Sequence, residues 1–219
     1  MTFTAPCLPT NRPNRQRRIA TVLADLPDAA TMDARIGTVL AQATDDEHLD
    51  GAAWYPAARD IGALVGAIGG WSADAGAGIV AALSPQCSWD ENVARALAFA
   101  RGDDVGGLSD GLAKAARIAA GQHPLDVLGG RKVRSFYHNI IGHAYHVTVD
   151  RHAVAIVYGR PLSDREIKIL ERCGAYAVIA SAYRATARRL GLDPSTLQAI
   201  TWLAWRRLKG LDYDPNERF

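Results

Sequence analysis

A lysine and an aspartate, 18 positions apart, are the residues of this chain whose types and spacing best suit chemistry. Lys132 directly follows the Gly-Gly-Arg segment 129–131, and Asp150 directly follows the short β-branched segment 147–149. The glycine turn predicts that the lysine lies where a helix begins, and the β-branched segment predicts an extended approach to the aspartate. An amine nucleophile and a carboxylate are sufficient for chemistry at a sugar carbon. Lysine is also scarce, since only four of the 25 basic residues are lysine and the others are arginine.

The elements that must position this pair are predicted to be helices. Apolar residues recur at helical spacing along most of the chain, two Ser-x-x-Glu capping boxes occur at Ser88 and Ser163, and no convincing strand pattern or internal repeat is found. We therefore expect an all-α fold. The predicted helices span residues 19–26, 31–43, 51–69, 75–83, 88–99, 112–120, 124–128, 131–141, 151–158, 163–173, 176–190 and 193–204.

Composition and charge suggest a flexible basic arm followed by one helical domain. Residues 1–16 are rich in proline and polar residues, and four arginines lie between positions 12 and 18. Residues 17–219 are expected to form a two-lobed domain, with one lobe from residues 17–75 plus 160–219 and the other from residues 76–159. The net charge of +2 is too small to indicate nucleic acid by itself.

Cysteine and histidine usage gives no prediction of a metal site or another cofactor. The three cysteines are far apart and form no Cys-x-x-Cys pair, so a cysteine-ligated zinc or iron–sulfur site is not supported. Four histidines fall between residues 138 and 152, but they straddle a predicted helix and a loop, so we expect no metal site there. No apolar segment has membrane-spanning length, and no signal core is found. We expect a cytoplasmic monomer without a membrane partner.

The glycine turn before Lys132 also predicts contact with a phosphate backbone. A helix, a tight turn at Gly129 and Gly130, and a second helix would point backbone amides outward, where they bind an anion well. Arg131 and Arg134 would add positive charge beside them. This is how a helix–hairpin–helix motif holds DNA without reading its bases.

At these residues the chain resembles the helix–hairpin–helix DNA glycosylase superfamily, above all its endonuclease III-like branch. That branch carries a catalytic lysine in a Gly-Arg-Lys step and a Val-Asp-x-His step 18 residues later, which Lys132, Asp150 and His152 reproduce. Asn139 and Gly142 also lie where that family has Asn and Gly. The hairpin here is Leu-Gly-Gly rather than Leu-Pro-Gly-Val-Gly, and the cysteines that bind an iron–sulfur cluster in that branch are absent.

The resemblance implies a two-lobed helical protein with a helix–hairpin–helix motif and double-stranded DNA as its partner. It makes Lys132 the amine nucleophile and Asp150 the activating carboxylate. The segment Leu83-Ser84-Pro85-Gln86 resembles the family segment whose Gln fills the space left by an extruded base. The residues it implies as DNA-binding are Gln86, Gly129, Gly130, Arg131, Arg134, Arg151 and His152.

Three functions stay open at this point. The first is a DNA glycosylase acting on a flipped modified or damaged base. The second is suggested by a similarity to phage relatives of the superfamily, and is transfer of an amine or amino acid onto an activated pyrimidine in DNA. The third is a non-catalytic DNA-binding module. In plainer interpretations, Lys132 only contacts phosphate, Asp150 only caps the helix that follows it, Gln86 is a local turn residue, and Trp54, Trp89, Trp202 and Trp205 belong to the core.

Overall fold

The computed structural model describes residues 25–172 and 174–210. Within these residues the protein is helical throughout and contains no strand, which confirms the all-α prediction. The basic arm, residues 19–24 of the first predicted helix, Cys7 and Cys173 lie outside them. The helices are α1 (Ala29–Leu40), α2 (Asp45–Gly69), α3 (Ala73–Leu83), α4 (Trp89–Arg101), α5 (Ser109–Ala119), α6 (Pro124–Val127), α7 (Arg131–Ile140), α8 (Arg151–Tyr158), α9 (Asp164–Ile167), α10 (Ala175–Leu190) and α11 (Pro194–Leu208).

Helix α2 begins six residues before the predicted start at residue 51. Thr44 accepts a hydrogen bond from the amide of Glu47, and the Glu47 side chain accepts one from the amide of Thr44. This capping box fixes the beginning of the helix at Asp45, and Pro56 lies inside it. The prediction was wrong because Pro56 was read as part of a helix start.

The capping box at Ser163 is confirmed, but the helix that follows it is much shorter than predicted. Ser163 accepts from the amide of Glu166, whose carboxylate in turn accepts from the amide of Ser163. Helix α9 ends after one turn at Ile167, and a 3₁₀ turn continues over Lys168–Glu171. The single long helix expected over residues 163–173 is therefore wrong.

Buried side chains form two apolar clusters. The first brings α1, α8, α10 and much of α11 together with Val147 and Val149. The second joins the later part of α2 to α3, α4, α5, α6 and α7. Residues 147–157 pack with the first cluster, whereas the predicted division places them in the lobe of residues 76–159. Tyr55 packs with the second cluster, whereas the predicted division places it in the lobe of residues 17–75 plus 160–219. Helix α11 contributes to both, since Leu197 belongs to the first and Ala199 to the second.

Helices α2 and α3 approach each other at the level of their backbones. A methyl group on Gly76 would overlap the carbonyl oxygen of Gly62 and the amide nitrogen of Gly66. Only glycine permits this approach, which buries almost the whole of α3. Among the described residues no single helix is long and apolar enough to cross a membrane; α2 and α3 meet the length and composition criteria only together, bent by 108°.

Candidate active site

The turn at Gly129 and Gly130, between α6 and α7, places Lys132 in the first turn of a helix, as predicted. Gly130 precedes α7 with a φ of 72°, a conformation that favours glycine, and no side chain among the described residues caps the helix there. A Cβ atom at Gly130 would meet open space. Gly130 therefore supplies no side-chain cap to the first amides of α7, and a helix N-terminus of this kind is a favourable environment for an anion.

Arg134 of α7 is hydrogen-bonded to the end of α6. Its Nη1 donates to the carbonyl oxygen of Leu125 at 2.8 Å and to that of Leu128 at 3.3 Å. These carbonyls belong to the last turn and the end of α6, where backbone acceptors lack helical partners. Arg134 thus braces the turn as well as carrying a positive charge beside it.

Asp150 is positioned by the segment 147–149 and by Tyr176 of α10. The Tyr176 hydroxyl donates to the carbonyl oxygen of Val147 at 2.8 Å and accepts from the amide of Val149 at 3.1 Å. The amide of Val149 also donates to the carbonyl oxygen of Val147 at 3.1 Å, which is the bond of a three-residue turn. The segment is therefore a tight turn held by a side chain rather than the extended approach that was predicted, and it leads directly into the N-cap residue Asp150.

The Asp150 carboxylate caps helix α8. Its Oδ1 accepts from the amide of Ala153 at 2.8 Å, and the residue is only 5% exposed. The capping role foreseen as an alternative for Asp150 is therefore present. The cap uses one carboxylate oxygen and leaves the other able to interact with a different group.

Lys132 and Asp150 line one narrow pocket. Its walls come from α2, α7 and α11, from the end of α3 and from the segment before α8. Lys132 and Asp150, 18 residues apart in sequence, therefore line the same pocket. Four of the nine side chains are aromatic and three are uncharged polar groups. The lining residues are Trp54, Tyr55, Ser84, Lys132, Phe136, Thr148, Asp150, Gln198 and Trp202.

Burial lowers the pKa of Lys132 below its ordinary value of 10.5. The residue as a whole is half-buried, but its amine end is enclosed by protein, which disfavours the charged form. The carboxylate of Asp150 and the thiol of Cys87 act in the opposite direction, while the charge of Arg151 adds to the lowering of the pKa. The net effect favours the neutral, nucleophilic amine relative to a surface lysine.

A buried polar network lies beside the carboxylate. The Tyr55 hydroxyl donates to Oε1 of Gln198 at 2.8 Å and lies 3.1 Å from Oγ1 of Thr148. Burial raises the pKa of Tyr55, so its hydroxyl stays protonated at neutral pH. Fully hydrogen-bonded groups of this kind fix the wall of a pocket at an atomic position, because breaking them would leave buried polar groups without partners.

The aromatic wall is built on Trp54. Its ring centroid lies 5.4 Å from that of Trp89 and 5.4 Å from that of Trp202. Trp202 also meets the ring of His152 edge-on at 6.1 Å and carries the guanidinium of Arg206 over one face at 4.5 Å. These tryptophans pack in the protein as the plainer interpretation expects, and two of them also face the pocket.

Gln86 has an unusual backbone conformation. It lies in the turn between α3 and α4 with its side chain exposed, two residues after the pocket residue Ser84. Its φ is 61°, and among the described residues it is the one non-glycine with a positive φ. Such conformations are costly for a residue with a side chain and concentrate at functional sites.

The other residues predicted to bind DNA are placed differently from one another. Arg131 is exposed in the first turn of α7 beside Gly129 and Gly130. Arg151 is exposed and forms an ion pair with Asp164. His152 is buried, 7% exposed, against Trp202, and therefore belongs to the protein interior rather than to an open surface.

Sequence reasoning missed most of the pocket wall. Tyr55, Thr148 and Gln198 lie far apart in the chain and carry no motif that links them. Thr148 had one usable signal, since it is the polar residue between two valines that leads into Asp150. Ser84 and Phe136 had another, because Ser84 precedes Gln86 and Phe136 lies one helical turn after Lys132.

Comparison with known proteins gives a family but no activity. No curated protein matches the chain, and no solved structure does. A family model matches residues 20–209, which is most of the sequence. The chain therefore belongs to DUF7178, a family of unknown function.

Proposed function

We propose that this protein is a DNA glycosylase-like enzyme that acts on a modified or damaged base flipped out of double-stranded DNA. The observation that carries the proposal is the meeting of Lys132 and Asp150 in one aromatic-lined pocket. Lys132 lies in the first turn of α7, whose N-cap residue Gly130 supplies no side-chain cap. One helix could thus bind a backbone phosphate at its N-terminus and present an amine to the neighbouring nucleotide.

Three features support a flipped nucleotide as the ligand. A base within a duplex is out of reach of any side chain, so an enzyme acting on it must turn it out at a cost of a few kcal/mol. Aromatic walls such as Trp54 and Trp202 suit stacking against a base. The exposed Gln86 is available to fill the vacated space in the duplex. Because the pocket is narrow, we expect a base to enter only when these aromatic side chains shift.

The chemistry follows from the environment of the amine. Neutral Lys132 Nζ attacks C1′ of the flipped nucleotide, and the bond between C1′ and the base nitrogen breaks. The base leaves with the bonding electrons and takes up a proton. The resulting secondary ammonium gives up one proton, its lone pair forms the C=N bond as the C1′–O4′ bond breaks, and O4′ takes up a proton, which leaves a protonated Schiff base between Nζ and C1′. The carboxylate of Asp150 stabilises the positive charge that develops on the sugar.

Borohydride trapping tests the proposal without knowledge of the preferred base. A duplex with an abasic site offers the C1′ aldehyde directly, and reduction of its Schiff base leaves a covalent adduct. We expect the wild-type protein and the Lys168→Ala control to form the adduct, because Lys168 is exposed in the 3₁₀ turn outside the pocket. Lys132→Ala should not form it. An adduct that persists in Lys132→Ala would refute the assignment of the nucleophile.

The two alternatives give different results on duplexes carrying modified or damaged bases. Transfer of an amine onto a pyrimidine would change the mass of a nucleoside without producing an abasic site. A binding module would hold the duplex, with a steep salt dependence, and produce neither an adduct nor a changed nucleoside. Tryptophan fluorescence should change when a flipped base enters the pocket and stay unchanged when only the backbone is bound.

A further inference from the structure

Three histidines that the sequence assigns to a helix and a separate loop lie together in the fold. His138 is in the last turn of α7, and His143 and His146 follow in the loop. One ring nitrogen from each lies within 4.8 Å of the other two. Nδ1 of His138 is 3.1 Å from Nδ1 of His143, and the rings of His138 and His146 stack with centroids 4.0 Å apart. The predicted division between a helix and a loop is thus correct, but the fold brings the three ring nitrogens together.

A tight turn at the end of α7 brings the loop back onto the helix. Gly142 has a φ of 93°, which reverses the chain direction. The amide of His143 then donates to the carbonyl oxygen of His138 at 2.8 Å, and the amide of His146 donates to that of His143 at 3.1 Å. These bonds fix the backbone from which the three imidazoles project.

We infer that His138, His143 and His146 bind one transition-metal ion of the Zn²⁺ type. Zinc holds imidazole nitrogens at about 2.0–2.1 Å, so two such ligands in a tetrahedral site lie about 3.3 Å apart, close to the separation between His138 and His143. The group contains three nitrogens and no carboxylate, which favours zinc, copper or nickel over magnesium or calcium. His143 is exposed and the other two are half-buried, so a fourth position can hold water.

The surroundings contain elements that act for and against a cation. The C-terminal end of α7 carries partial negative charge next to His138, which favours a cation. Arg134 lies near enough to His138, and Arg184 near enough to His146, for their positive charges to oppose the binding of a cation. Only metals that form strong bonds to imidazole are expected to overcome this repulsion.

Asn139 connects the histidine loop to the pocket wall. Its amide has one orientation that satisfies both ends, with Nδ2 donating to the carbonyl oxygens of His146 at 3.0 Å and His143 at 3.2 Å. Its Oδ1 then faces the hydroxyls of Tyr55 at 3.2 Å and Thr148 at 3.1 Å. Residues that hold metal ligands in place in this way commonly affect affinity. The inferred metal site does not depend on the proposed function.

Metal binding by untagged full-length protein tests the inference. Equilibrium dialysis against ZnCl₂ should give one bound ion per chain, and Co²⁺ should give the visible absorption of a tetrahedral site. His143→Ala should weaken binding by more than about 100-fold, since loss of a supporting residue alone costs about 10–100-fold. His48→Ala, a half-buried histidine on α2, is the matched control and should bind as the wild type does.

Because His143 is exposed, its replacement should leave the protein folded, and metal-free melting curves of both variants check this directly. Absence of stoichiometric binding by the wild type would overturn the inference. Binding that is equal in wild type and His143→Ala would overturn it too, because the ion would then lie elsewhere. Neither result bears on borohydride trapping at Lys132, so the two proposals fail separately.

Discussion

Replacing Asp150 by asparagine and by alanine separates its structural role from its chemical role. Asn and Asp are equally good N-cap residues, so Asp150→Asn keeps the hydrogen bond to the amide of Ala153 and removes the charge. Asp150→Ala removes both. Each variant takes the same negative charge away from Lys132, and that shared effect cancels when the two variants are compared.

The difference between the variants is expected to equal the value of the cap. Loss of an N-cap side chain costs about 0.5–2 kcal/mol, and the site is buried, with Ala153 only 2% exposed. The upper half of that range therefore applies, about 1–2 kcal/mol. At about 2–4 °C per kcal/mol for a chain of this size, Asp150→Ala should melt about 2–8 °C below Asp150→Asn.

The chemical role should be lost equally in both variants. Without the carboxylate the pKa of Lys132 falls further, which favours the neutral amine, but the positive charge of the protonated Schiff base at C1′ has no partner. Removal of a positioned acid or base costs roughly 10²–10⁴-fold, and we expect a fall of this size in the borohydride trapping rate. The assays are thermal melting and single-turnover trapping on one abasic duplex, with Lys168→Ala as control.

Two results would refute this reasoning. Equal melting temperatures for the two variants would mean that the bond to Ala153 contributes nothing measurable. Wild-type trapping by Asp150→Asn would mean that the carboxylate caps a helix and takes no part in the reaction. A third check compares Asp150→Asn in the wild type with the same change in a Lys132→Met variant. The loss of stability should be smaller in the second case, because no buried amine then loses the neighbouring carboxylate.

The remaining predictions concern positioning, strain and pH. Tyr176→Phe should lower stability by about 1–3 kcal/mol, because the amide of Val149 and the carbonyl oxygen of Val147 each lose a buried hydrogen bond, whereas the exposed Tyr145→Phe should not; melting curves compare them. Gln86→Gly should leave the melting temperature unchanged or higher, since a left-handed backbone costs a side-chain residue about 1–2 kcal/mol, but should reduce base extrusion measured with a fluorescent base in the duplex. Because burial lowers the pKa of Lys132, the unfolded chain binds more protons just below pH 10.5, so wild-type stability relative to Lys132→Met should rise as the pH approaches 10.5 in urea titrations; a flat difference would contradict the pKa shift.

The helices and their ends could be predicted from the sequence where the signal is local. The capping box at Ser163, the Gly-Gly turn before Lys132 and the cap at Asp150 each involve residues within four positions of one another. The start of α2 was missed although its own capping box at Thr44 was equally local, because Pro56 suggested a later start. Local hydrogen bonds therefore account for most helix boundaries but must be weighed against each other.

The candidate site could be predicted only in part. Lys132 and Asp150 were identified by residue type and interval, and the pocket contains both. Gln198 and Tyr55 could not be found, because their contact joins positions 143 residues apart and no pattern in either segment refers to the other. The assignment of His152 to DNA contact came from a resemblance, and only its packing against Trp202 places it in the interior.

The sequence by itself determined that the protein is helical, that a glycine turn begins the helix of Lys132 and that Asp150 begins another, since these properties depend on neighbouring residues. Only the tertiary structure decided what surrounds the pair. Burial of the amine, the aromatic wall and the polar network all come from helices that are distant in sequence. The three histidines show the same division: their spacing indicates a helix and a loop, and one glycine turn with a positive φ brings their nitrogens together.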